Sequence, residues 1–194
     1  MDRTKKVYVP VRYRVPLKRS AQVQYATVAD NLGIANKLSK TIVKDYLDLC
    51  REDLFSGHIV MFLGLVTLFP DVVVTDQIKT TAYYAKQVGK RLGVPYFTCL
   101  SAITSYLDEL KLGLFRKERA ILGKLVILIP FEDDDEEVLV VRARSSSTLL
   151  RDINAGEGII TKVSARVSKF LRKEVKYSRE NNFENDLKIT FESQ

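Results

Sequence analysis

Apolar residues in the middle of the chain follow a helical period twice, and each time the period gives way to β-type alternation. VADNLGIANKLSKTIVKDYLDLCREDLF (28–55) predicts a short helix stopped at Leu32-Gly33, a turn, and a longer amphipathic helix carrying Tyr46-Leu47-Asp48 and Leu54-Phe55. VGKRLGVPYFTCLSAITSYLDELKLGLF (88–115) predicts the same, with Leu92-Gly93, Tyr106-Leu107-Asp108 and Leu114-Phe115. A shift of sixty residues lays one stretch over the other, Val28 on Val88, Leu32 on Leu92 and Tyr46 on Tyr106 among the identical pairs, which reads as an internal repeat. Strand-type runs follow each copy, GHIVMFLGLVTLFPDVVVTD (57–76) and ERAILGKLVILIP (118–130). With a one-residue deletion Gly64 falls over Gly123, and glycine inside a strand pattern marks a bulge or a close backbone approach.

The flanks carry their own patterns. VYVPVRYRVP near the N-terminus alternates Val7, Val9, Val11, Tyr13 and Val15 with polar or charged positions, and Pro10 and Pro16 make it an edge strand or an extended arm. Such a segment either adds to a neighbour's sheet or lies on its own body. After Asn154, AGEGII supplies Gly156 and Gly158 and is expected to end the repeated body. Val163, Val167, Phe170 and Leu171 recur at helical spacing and predict an amphipathic helix over roughly 161–176. NNFENDLKITFESQ alternates Leu187, Ile189 and Phe191, as a last strand would. The expected class is α+β, with an N-terminal strand or arm (1–20), a first repeat (21–76), a second repeat (77–155), and a basic helix and tail (156–194).

A chain of 194 residues that is 46% hydrophobic can build a sizeable core. Cys50 and Cys99 stand far apart with no metal or redox spacing, so they read as packing residues in a reducing, intracellular setting. The N-terminus carries no signal-peptide core, and no apolar run approaches the roughly 20 residues of a bilayer-spanning helix, so neither secretion by signal peptide nor membrane insertion is expected. The formal charge is +7, unevenly spread. Residues 1–20 hold seven Lys and Arg, Arg12 and Arg14 among them, and 162–179 hold Lys162, Arg166, Lys169, Arg172, Lys173, Lys176 and Arg179 against Glu174 alone. Basic ends can attract nucleic acid by counterion release or meet an acidic protein surface. Between them Glu132, Asp133, Asp134, Asp135, Glu136 and Glu137 form six consecutive acids. That run reads as a solvated hairpin tip, as a contact for a basic partner or neighbouring subunit, or, least well, as a divalent-cation loop, whose ligands are normally spaced rather than consecutive.

Catalysis finds no foothold in these residues. There is no Ser/His/Asp set, no P-loop and no GxGxxG, the paired carboxylates belong to one run, and the single histidine, His58, reads as a polar turn residue beside Gly57. A non-enzyme without cofactor or metal is expected.

The repeated unit resembles the HU/IHF family of bacterial DNA-bending proteins. GHIVMFLGLVTLF (57–69) is similar to that family's strand, glycine turn and second strand, and ARSSSTLLRDIN (143–154) to its closing segment, with Ser146 and Ser147 where the family has Pro-Gly. The resemblance covers residues 21–155 and implies two linked copies forming within one chain the intertwined pair that the small family members form as dimers. It also implies a truncated first copy, because only VVVTD separates Pro70 from the next helix, leaving no room for an arm or third helix. In the family, basic proline-tipped arms wedge into the minor groove. Here FEDDDE occupies the only place for an arm, between KLVILIP and EVLVVRAR, and acids there repel phosphate. The fold is therefore expected without HU-type bending. The chain also resembles the tandem or divergent HU/IHF-like proteins of crAss-like tailed phages. That resemblance implies a virion structural protein assembled in the host cytoplasm, a homo-oligomeric ring component of the portal or head-to-tail connector with other virion proteins as partners. The alternatives are a nucleoid-type DNA-binding protein contacting phosphates through the basic termini, Arg142 and Arg144, and a regulator acting through the acidic hairpin.

Overall fold

The computed structural model describes residues 21–133, 138–169 and 171. Among them the chain is a mixed α+β structure of five helices and two sheets. Helix α1 (Ala21–Leu32), helix α2 (Asn36–Phe55), strand β1 (His58–Phe62) and strand β2 (Val66–Pro70) come first. Strand β3 (Thr75–Lys79) leads into helix α3 (Thr81–Leu92), helix α4 (Tyr96–Phe115), strand β4 (Ala120–Leu122) and strand β5 (Val126–Asp133). Strand β6 (Val138–Ser145), helix α5 (Ser147–Asn154) and strand β7 (Val163–Val167) complete the order. The short helices end where the sequence places their stops, at left-handed Gly33 and Gly93. Thr80 and Ser146 begin α3 and α5 by accepting the N–H of Tyr83 and of Leu149, satisfying donors the first turn leaves open.

The first sheet has the order β3-β1-β2-β7 and the second β4-β5-β6. Both hairpins keep the sixty-residue offset: the turn N–H of Leu65 donates to Phe62 O at 3.0 Å and that of Leu125 to Leu122 O at 3.1 Å. The expected one-residue deletion is therefore absent, and Gly64 corresponds to Lys124, not to Gly123. Each turn needs one residue of positive φ, which glycine adopts without steric cost. The first turn has it at its third residue, Gly64 (φ 74°), and the second at its second, Gly123 (φ 55°).

Packing interleaves the two halves. Helix α1 packs on both α2 and α4, and α3 likewise touches both long helices. Tyr46 and Tyr106, sixty residues apart, are both buried, Tyr46 edge-on to Phe62 and Tyr84, Tyr106 stacked on Tyr25 and donating its hydroxyl to Ile121 O at 3.2 Å. Leu47 of α2 packs under Gly123 in the second hairpin, while Lys111 of α4 lies over Gly64 in the first. One core of aliphatic and aromatic residues runs through both halves and includes Cys50 and Cys99.

Three expectations are corrected. Residues 163–167 are a strand, not part of a helix: β7 pairs antiparallel with β2, Val66 opposite Val167 through Pro70 opposite Val163. Only Lys169 and Leu171 are helical among the described residues beyond it. The body also does not end at AGEGII, since Ile160 is buried and the segment carries the chain back to the first sheet. Strand β7 thus adds to the first sheet beside β2 after the whole second half has intervened. The boundary drawn at 76/77 falls inside β3, which pairs parallel with β1 and is no mere linker. The N-terminal strand or arm and the C-terminal tail lie outside the described residues.

Candidate partner-binding surfaces

Strand parity decides which basic residues reach solvent. On β6 Val141 is buried while Arg142 and Arg144 are exposed, and their register partners on β5, Ile129 and Ile127, are half-buried on the same outer face. On β7 Arg166 stands opposite Thr67 and Ser164 opposite Phe69, again on the face away from the buried Val66 and Leu68. The Arg166 guanidinium lies over the Phe69 ring, 5.2 Å from its centroid, an attraction between cation and π-face that orients the side chain. Strands β6 and β7 lie against one another although no ladder joins them. Arg144 and Arg166 occupy matching places in the two sheets, one opposite Ile127, the other opposite Thr67. The fold thus gathers Arg142, Arg144 and Arg166 along one seam, with Lys162 and Lys169 exposed at the two ends of β7. Arg12, Arg14, Arg172 and Lys173 lie outside the described residues, as do Asp134, Asp135, Glu136 and Glu137. The backbone of Glu132 and Asp133 closes the β5–β6 ladder opposite Leu139 and Val138.

At the matching end of the first sheet the chain is pinned by an acid. Asp71 accepts from the Thr161 N–H at 3.0 Å and from its hydroxyl at 2.5 Å, and the Asp71 N–H donates to Lys162 O at 3.0 Å. The Thr161 hydroxyl, with help from the backbone N–H groups, favours the charged carboxylate and holds Asp71 down to about 2.

A second cluster, not foreseen from the sequence, holds the return crossing. Arg51 bonds Asp152 at 3.0 Å and also Glu157, with its guanidinium 4.5 Å from the Phe55 ring centroid. Burial works against the charge on Asp152, but hydrogen bonds from Arg51 and Arg151 outweigh it and keep the carboxyl below its usual range. Beside this clamp the Ile159 N–H donates to Phe55 O at 3.0 Å, and Gly158, at φ 73°, passes so close that a Cβ would sit 2.8 Å from Phe55 Cβ. Only separate elements converging in space reveal such a cluster; Arg51, Asp152 and Glu157 share no local motif.

The interior offers little to acid–base chemistry. Burial pushes the Cys50 thiol and the Tyr46 and Tyr84 hydroxyls well up, so all three stay protonated near neutrality. Among the described residues no group of three or more His, Cys, Asp or Glu could hold a metal ion, and no helix is long and apolar enough to cross a membrane. His58 opens β1, half-buried, with Nδ1 3.9 Å from Asp53 Oδ1.

Apolar exposure is concentrated in two places. Phe97 and Tyr96 project at the start of α4, their rings 5.2 Å apart. Val72, Val73 and Val74 run exposed into β3, where Ile78 is exposed as well and Ile159 lies alongside. No protein-family model matches this chain, and none of the curated proteins is similar to it in sequence.

Proposed function

We propose that this protein is a non-enzymatic assembly subunit, a tandem HU/IHF-like pseudo-dimer serving as a virion structural protein, in a homo-oligomeric ring at the portal or head-to-tail connector. The observation that carries the reading is what stands where HU-type arms would leave the body. On the first sheet β2 and β7 stop at Pro70 and Val163 under the Asp71–Thr161 clamp, and on the second the ladder runs into Glu132–Glu137. Neither place offers the basic extension that wraps a duplex. The pseudo-dimer part draws support from the sixty-residue offset and from each long helix reaching the other half's hairpin, as two exchanged subunits would. The virion and ring part rests on the family resemblance.

A second reading, nucleic-acid binding, is favoured by one observation, the alignment of Arg142, Arg144 and Arg166 on one exposed seam. Titration of duplex DNA over a range of salt separates the two. The assembly reading expects no complex retained at physiological ionic strength. A steep salt slope would replace it with the DNA reading, provided that Arg142→Gln, Arg144→Gln and Arg166→Gln each lower the slope by about one, as a cation taken off a phosphate does.

A further inference from the structure

Strand β3 is the outer strand of its sheet, hydrogen-bonded on one side to β1 and, among the described residues, to nothing on the other. Neither of its faces is covered: Asp76, Gln77 and Ile78 are all exposed, and the three valines leading into it are exposed too, Val74 at 63%. A β-branched run with an open ladder edge is the arrangement that soluble proteins normally blunt with lysine, proline or a covering element. The stretch 71–79 has one lysine, Lys79, and no proline, its pairing with β1 slips in register between His58 opposite Thr75 and Ile59 opposite Ile78, and it carries Asp71 and Asp76 besides. The Gln77 N–H donates to the Thr75 hydroxyl at 3.3 Å.

The chain itself contains a segment suited to that edge. Val11, Arg12, Tyr13, Arg14 and Val15 alternate apolar and basic, and Pro10 and Pro16 bound them, so a ladder formed there would be limited to five residues. Five is also the length of β3. Val11, Tyr13 and Val15 offer one apolar face to Ile78 and the exposed valines, and the positive charge of the segment as a whole is opposite in sign to the acids of the edge, Asp71 and Asp76. Helix α1, to which this segment is tethered, packs on α2 and α4, not on β3.

We infer that the β3 edge is the docking site for residues 11–15 of a second copy of this chain, by strand addition. The contact is heterologous, one subunit's arm on the next subunit's sheet, and such contacts close into rings when the rotation between subunits allows it. The inference deepens the assembly reading and rests on it. Full-length protein tests it by sedimentation together with cysteine cross-linking. Ile78→Lys on the exposed edge and Tyr13→Pro in the arm are each expected to weaken self-association by about tenfold or more, the first through a charge on the covered face, the second by removing a ladder donor. Tyr13→Cys protein mixed with Gln77→Cys protein is expected to give a cross-linked dimer under mild oxidation that neither gives alone. An oligomer indifferent to both substitutions, a Gln77→Cys homodimer, or a Tyr13→Cys/Gln77→Cys double variant that closes only within one chain would overturn the inference and leave the assembly reading standing. A chain that is monomeric at every concentration would remove both.

Discussion

The two sheets share one register and differ in how the chain reaches their third strand. In the second, only the four acidic residues 134–137 separate β5 from β6 in sequence, and the Ser146 N–H closes the hairpin on Leu125 O at 3.0 Å. In the first, β7 reaches β2 only after residues 71–162, yet the Ser168 N–H makes the equivalent bond to Leu65 O at 2.8 Å. Leu149 and Leu171, each three residues beyond that serine, are both buried in the common core. Spatial fit, not closeness in sequence, decides which segment completes a sheet. Joining distant segments costs only slowly more as the loop lengthens, and here the intervening residues fold as the second half.

The sharpest way to break this equivalence is to cut both leucines. If β7 and the turn after it are integral, Leu171→Ala costs as much as Leu149→Ala, about 2–5 kcal/mol each by denaturant unfolding. A neutral Leu171→Ala would make that segment peripheral and the two sheets unlike. Next in size is the crossing that exists only on the first side. Gly158→Ala places a Cβ against the Phe55 carbonyl at a positive φ, and thermal unfolding should report a loss of about 2–3 kcal/mol.

A smaller loss is expected on the second side from Ser146→Ala, which removes the α5 cap together with the bond its hydroxyl donates to Lys124 O, at about 1–2 kcal/mol. The smallest effect concerns acid. The folded pKa of Asp71 lies below its unfolded value, so its contribution is present above about 3.8 and is lost as pH falls toward about 2. Asp71→Asn should therefore flatten stability over that window and lower it slightly at neutral pH, whereas an unchanged acid profile would mean that the clamp is not formed.

Much of this architecture was legible from local pattern. The two helix pairs with their Leu-Gly stops and the hairpin strands carry period and stop signals within a dozen residues, whereas α5 was foreseen only through the likeness of residues 143–154 to a family's closing segment. Strand β7 was not legible, because Val163 and Val167 fit a helical period as well as an alternating one, and the partner that decides between them stands on β2, far back in the chain. The edge role of VVVTDQIK was hidden for the same reason, since its pairing is parallel and non-local. Of the candidate surface, sequence located Arg142, Arg144 and Arg166 but gave two of them a strand and the third a helix. Only the pairing of β7 puts them on one seam. The Arg51 clamp had no sequence signal, as its carboxylates lie about a hundred residues from the arginine.

The mass of the full-length chain at physiological ionic strength, measured by native mass spectrometry with duplex DNA present, tests the central claim most directly. The account predicts one discrete oligomer of this chain with the DNA left free. Single chains bound stoichiometrically to the duplex would contradict it.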